Sequence, residues 1–176
     1  MITDLLAFAT RCEQTARELQ AQGPRIVRGM AQTVLSLRVL DIQTNGLPGR
    51  PRYSSNFFPT YLFKGKELNA RGREYIKKHP LGNWGQFRAA QGLPSDVVNL
   101  TYTGRLFRSL QVQNTGGAGY VYGARIVAST KEDQQKLAYA IDRYGPVLQP
   151  LPAEQGEANL YATKEVQRII QQGLQL

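Results

Sequence analysis

Over the first forty or so residues, apolar side chains return at helical spacing, and only Gly23-Pro24 interrupts them. Leu5, Phe8, Ala9, Cys12, Ala16 and Leu19 form one stripe, and Ile26, Val27, Met30, Ala31, Val34 and Leu37 form a second. Thr3 is placed to cap the first helix, because its hydroxyl can accept from an orphan amide. Glycine suits the residue after a helix and proline the first turn of the next. The pattern therefore predicts two helices, or one long kinked helix, over about residues 3–43. A helical segment of this length must bury its apolar stripe against another layer.

That layer is predicted in the second half of the chain. Leu110 and Val112 alternate with Gln111 and Gln113, as a half-buried strand would. Asn114 to Gly119 reads as a hairpin connection and Tyr120 to Ala128 as the returning strand. Ser129 or Thr130 can cap a helix over about residues 131–144, buried through Leu137, Ala138 and Ile141 and stopped by Gly145-Pro146. A last helix, roughly Ala153 to Gln172, carries Leu160, Val166, Ile169 and Ile170. The expected fold class is α+β: a long N-terminal helical segment packed on a small antiparallel β-sheet, with C-terminal helices. At 176 residues the chain fits a single domain, 1–176.

Residues 45–95 follow a different pattern. Asn45-Gly46, Pro48-Gly49, Pro51 and Pro59 break regular structure, while Tyr53, Phe57, Phe58, Tyr61 and Phe63 lie between them. A loop this long and aromatic packs on its own domain's core or reaches onto a neighbouring subunit. A base-stacking platform is the weaker reading. Beyond it, Leu68, Tyr75 and Ile76 predict a short helix ended before Pro80, and Trp84 and Phe87 anchor another from Asn83 to Gln91. The net charge of +9 concentrates here, since residues 51–110 hold ten basic and three acidic side chains. Arg71, Arg73, Lys77 and Lys78 form the densest cluster. Such a patch suits nucleic acid or an acidic protein surface.

A search for catalytic groups finds few. Cys12 and His79 are each the sole residue of their type, which removes an internal disulfide, a cysteine-based zinc site and a histidine pair. Cys12 reads as a small core residue and His79 as a turn residue. Gly116-Gly117-Ala118-Gly119 lies between strands rather than opening a helix, so it is read as a turn and not as a phosphate loop. Glu132-Asp133 begins a helix, where the backbone dipole stabilises carboxylates. The expectation is a chain that is not an enzyme and takes no cofactor or metal. No apolar run reaches the roughly 20 residues of a membrane span, and the N-terminus, acidic at Asp4, does not resemble a secretory signal. A reducing, cytoplasmic site of synthesis follows.

The most distinctive stretch is Thr103-Gly104-Arg105-Leu106-Phe107-Arg108-Ser109-Leu110. Thr103 can cap, Gly104 permits a positive φ, Leu106 and Leu110 are spaced i,i+4 on one side, and Ser109 lies near a helix end. The stretch resembles the TGxLxxS[IL] signature of tailed-bacteriophage neck and tail-completion proteins, which include minor tail and virion-morphogenesis proteins. In that family the motif links a long N-terminal helix to a β-hairpin sheet. A later Tyr/Phe-Gly turn before a C-terminal helix is similar to Arg143-Tyr144-Gly145-Pro146. The likeness covers the first helix loosely and residues 100–172 more closely. Residues 45–95 depart from it, standing as a long basic and aromatic insertion where the family often has a short link.

The resemblance implies a structural virion protein, made in the host cytoplasm, that forms a homo-oligomeric ring at the head–tail junction. Its implied partners are the connector or adaptor, the tail tube or tail terminator proteins, and packaged DNA, with no membrane. The residues themselves keep an alternative open. A nucleic-acid-binding protein would use the basic 64–88 segment through Arg71, Arg73, Lys77 and Lys78, with Tyr75 and Trp84 beside them.

Overall fold

In the computed structural model a single helix, α1, runs from Ile2 to Asn45, straight through Gly23 and Pro24. The structure describes residues 2–47, 49, 52–53, 55–63, 68–100, 104–117 and 121–174. After α1 come β1 (Phe58–Pro59), a 3-10 turn (Thr60–Phe63), α2 (Ala70–Lys78), β2 (Leu81–Gly82) and α3 (Trp84–Ala90). Then follow α4 (Arg105–Ser109), β3 (Leu110–Asn114), β4 (Ala124–Ala128), α5 (Lys131–Tyr144) and α6 (Pro152–Leu174). The expected α+β class holds, with a long N-terminal helix, two small antiparallel sheets and C-terminal helices. The chain divides into two compact units. One comprises residues 1–38, 110–129 and 148–176, the other 39–109 and 130–147.

Of the two expectations for residues 3–43, the single long helix is the one formed, and in the first unit Gly23-Pro24 lies inside it for a tertiary reason. Pro24 has no N–H, so the Gln20 carbonyl loses the donor that a continuous helix would supply. The Tyr122 hydroxyl donates to that carbonyl instead, at 2.7 Å. Gly23 makes room, since a Cβ there would sit inside the Tyr122 ring. The glycine–proline pair is thus a docking notch rather than a stop.

α6 lies antiparallel to α1. Thr15 meets Gly173, Arg25 pairs with Glu165 at 2.6 Å, Gly29 receives the Tyr161 ring, and Arg38 stands 3.7 Å from Glu154. Both members of the last pair are buried, and Glu154 Oε2 also accepts from the Leu151 amide at 2.7 Å. Ile26, Ala158 and Ile169 fill the apolar interior, whereas Leu160 faces outward. The first stripe departs from expectation, with Leu5 72% and Phe8 49% exposed. α6 ends at Leu174, level with Thr15, so among the described residues it does not extend alongside the first turns of α1.

The hairpin pairs Leu110 with Ala128 and Val112 with Ile126. Leu110 and Val112 are buried while Gln111 and Gln113 are exposed, as the alternation predicted. The returning strand starts at Ala124 rather than Tyr120, because the turn is held lower down, where the Thr115 amide donates to the Gly123 carbonyl at 2.9 Å. Residues 118–120 lie outside the described residues.

The second unit is built around rings. Phe63 stacks on Phe87 at 4.1 Å with only 2° between planes, and Trp84 and Phe58 close on Phe63 at 5.4 and 4.7 Å. The aromatic segment therefore builds this unit's core. α3 stands where the sequence placed it, since Asn83 and Gln86 form a reciprocal capping box. Asn69 caps α2, and its side-chain amide also donates to the Gln91 carbonyl, which ties the two helices together. His79 is the extended residue that ends α2, in the turn before β2.

α5 is capped by Thr130, as expected, and stopped at Gly145 with φ +86°. Its inward face differs from expectation. Asp133 and Ala140 are buried and Leu137 half-buried, while Ala138 and Ile141 are exposed. The cap explains this: Thr130 Oγ1 accepts from the Asp133 amide at 3.1 Å and donates to Asp133 Oδ2 at 2.7 Å, which turns Asp133 inward.

Candidate functional site

The second unit contains a cavity of about 620 Å3. Five aromatic side chains stand in its wall: Tyr53 and Phe58, Trp84 of α3, and Tyr139 and Tyr144 of α5. Arg88, Arg105, Lys136 and Arg143 supply four positive charges, and among the described residues no aspartate or glutamate lines it. Gly104 and Leu106 also line it, beside Asn56, Leu100 and Ala140, so the motif singled out in the sequence forms part of the cavity.

Each cation is held differently. Arg88 is only 1% exposed. Its Nε donates to the Pro94 carbonyl at 2.8 Å, its Nη2 to Asn99 Oδ1 at 3.0 Å, and its guanidinium lies 4.6 Å from the centre of the Tyr53 ring. The Tyr53 hydroxyl donates to the same Asn99 oxygen at 3.2 Å. Burial raises the Tyr53 phenol above its ordinary value, against the opposing pull of Arg88, so it remains a neutral hydroxyl. Arg105 and Lys136 are tied to α5 carboxylates: Arg105 to Glu132 at 3.0 Å and Asp133 at 3.7 Å, Lys136 to the same two at 2.8 and 3.7 Å. Arg143 donates to the Tyr139 hydroxyl at 2.9 Å and lies 5.7 Å from the centre of the Tyr144 ring. That hydroxyl, first, and Tyr144, second, hold the guanidinium further toward its charged form. Four cations against two carboxylates leave the cluster positive.

The carboxylates respond in kind. Asp133 is held below its ordinary range, first by the Thr130 hydroxyl and then by Arg105 and Lys136 against the cost of burial. Glu132 is lowered by its hydrogen bond to Lys136 and by Arg105. One wall residue is strained: Leu100 has φ +52°, in the left-handed region that costs a side chain-bearing residue about 1 kcal/mol.

The sequence motif resolves into parts. Gly104, at φ +70°, turns the chain into α4, and Ser109 Oγ donates to the Leu106 carbonyl at 2.7 Å to close it. Leu110 does not share a helical face with Leu106, because α4 ends at Ser109 and Leu110 opens β3. Thr103 lies outside the described residues. Phe107, a variable position of the signature, is buried.

The basic cluster stands elsewhere in the same unit. Arg71, Arg73, Lys77 and Lys78 are all exposed on α2, with Gly72 buried and Tyr75 and Ile76 half-buried on the opposite side. Lys78 pairs with Glu74 at 2.6 Å. Tyr75 and Trp84 do not join this face. Tyr75 packs over Gly82 and its hydroxyl donates to Gln86 at 3.3 Å, while Trp84 belongs to the ring core.

Sequence reasoning missed the cavity. Its only local signal was Tyr139 and Arg143 at i,i+4, which places them together on a helix. Among the described residues no three or more His, Cys, Asp or Glu converge as a metal ion would need, and no helix is long and apolar enough to cross a membrane. No family model, no curated protein and no solved structure matches this chain.

Proposed function

We propose that this chain is a structural, non-enzymatic protein of a tailed-bacteriophage virion, which closes into a homo-oligomeric ring at the head–tail junction and joins connector to tail. The observation that carries this reading is the Gly104–Ser109 junction. A glycine at φ +70° leads into a short helix that passes without a linker into a β-hairpin, after a long N-terminal helix and before C-terminal helices. That is the order the resemblance implies. Contact surfaces fit the role. β3–β4 is a two-stranded sheet, whose outer edges suit pairing with a neighbour's strand. Phe57, Tyr61, Leu62 and Leu81 are each more than half exposed in the 45–95 segment, and large apolar side chains left in water suit an interaction surface. That segment is the part that latches the adjoining ring, and head-to-tail repetition closes the ring itself.

Electron microscopy of particles carrying a tag on this chain tests the reading. Label at the head–tail junction is the expected result, together with concentration-dependent rings of the purified protein. Virions without the label would remove the reading. The second reading, nucleic-acid binding, draws on the four exposed cations of α2. It requires affinity that falls steeply with salt and weakens when Arg71, Arg73, Lys77 and Lys78 are neutralised.

A further inference from the structure

We infer that the cavity of the second unit binds a flat aromatic anion of nucleotide size, stacking its ring on the tyrosine and tryptophan walls and holding its phosphate at Arg143. The inference stands apart from the virion reading and uses none of the α2 cations.

The chemistry comes from three features together. At about 620 Å3 the cavity lies within the size range of small-molecule sites. Trp84, Tyr139 and Tyr144 line it, aromatic side chains of the kind on which a base stacks without regard to sequence. Its charge is positive and pre-positioned. Arg143 is held by the Tyr139 hydroxyl and the Tyr144 ring, neither of them a carboxylate, so the guanidinium is oriented without an ion pair to either. Arginine presents a planar fork that matches phosphate oxygens, and Arg88 adds field from beneath Tyr53. The strained Leu100 backbone in the wall is a further mark of a site shaped for something other than stability. An acidic peptide would use the cations but leave the flat faces without a matching partner. A nucleotide uses both. It can come free in solution or as an unpaired residue of a single strand.

Trp84 is the only tryptophan of the chain and lines the cavity, so its fluorescence reports occupancy directly. The full chain is titrated with adenosine 5′-monophosphate, adenosine, inorganic phosphate, a ten-nucleotide oligo-dA (roughly one site size) and a glutamate–tyrosine copolymer. Saturable change with the monophosphate is expected, with adenosine and phosphate each at least about tenfold weaker. Arg143→Gln, at an exposed side chain, weakens the monophosphate about tenfold. Tyr139→Phe keeps the ring, releases Arg143 and gives a smaller loss. Arg71→Gln with Lys77→Gln leaves the monophosphate unchanged. Response to the oligonucleotide alone, lost in Arg143→Gln, supports the same site with a strand as source. The inference is overturned by no saturable response to either at millimolar concentration. It is also overturned by binding that Arg143→Gln leaves intact, by equal response to adenosine and its monophosphate, or by response to the copolymer alone.

Discussion

Replacing Tyr122 with phenylalanine removes a single oxygen and keeps the ring seated against Gly23. That oxygen is the donor to the Gln20 carbonyl at 2.7 Å, at the one turn of α1 where Pro24 cannot supply an amide. A net intramolecular hydrogen bond contributes about 1 kcal/mol, and partial access of water to this carbonyl keeps the loss near that figure. Pro24→Ala changes the reference. It restores an amide four residues beyond Gln20 and recovers part of the roughly 3 kcal/mol that an interior proline costs. With that amide in place the carbonyl no longer depends on Tyr122, so the second Tyr122→Phe change should cost less than about 0.3 kcal/mol. The predicted coupling is therefore close to 1 kcal/mol. Urea unfolding of the four proteins, followed by far-UV circular dichroism, gives it from midpoints and slopes. Equal losses in the two backgrounds would show that the tyrosine does not stand in for the missing amide, and the account of α1 would fail.

Three further outcomes follow from the packing. Glu154→Leu removes the carboxylate beside the buried Arg38 and should cost about 3–5 kcal/mol, while Arg38→Met with Glu154→Leu should recover most of it, read from the same urea midpoints. Phe87→Ala opens the ring core and should cost about 3–5 kcal/mol, with a red shift of Trp84 emission as its stacked neighbours lose support. Asp133 is depressed in the folded chain, so its contribution is fully present above the ordinary carboxylate value, about pH 4, and is lost as pH falls through the lower folded value. Thr130→Val removes the first cause of that depression, and should lower stability at neutral pH and flatten the acid limb in urea midpoints taken from about pH 7 to pH 2.

Elements whose signals are local were legible in the sequence. α3 has both its capping groups within four residues, Asn83 and Gln86, and the bounds expected for it match. β3 carries its alternation in Leu110 to Gln113. Where a distant residue decides, the sequence fell short. Gly23-Pro24 leaves two helices or one equally open, because nothing near it reveals that Tyr122, about a hundred residues on, supplies the missing hydrogen bond. The stripe through Leu5 and Phe8 predicted burial, yet periodicity reports only that a face is apolar and not that a partner reaches it. The inward face of α5 keeps Leu137 but takes Asp133 and Ala140 in place of Ala138 and Ile141, which outweigh Asp133 on any hydropathy scale, while the Thr130 hydroxyl and the Arg105 and Lys136 charges make burial of Asp133 tolerable.

The candidate site shows the same division in charge. Counting cations located the excess in residues 51–110 but treated them as equivalent, whereas their surroundings separate them. Arg88 is among the deepest side chains of the protein and cannot act as a surface contact. Arg105 is half spent on Glu132 and Asp133. The cation best placed to meet an anion in the cavity, Arg143, belongs to a stretch whose formal charge is zero, since residues 111–176 hold six basic and six acidic side chains. Net charge over a segment is a sum, and recognition depends on which charges have been left un-neutralised and held in place. In this chain that distinction is made by Tyr139, one helical turn before Arg143, whose hydroxyl orients the guanidinium without cancelling it.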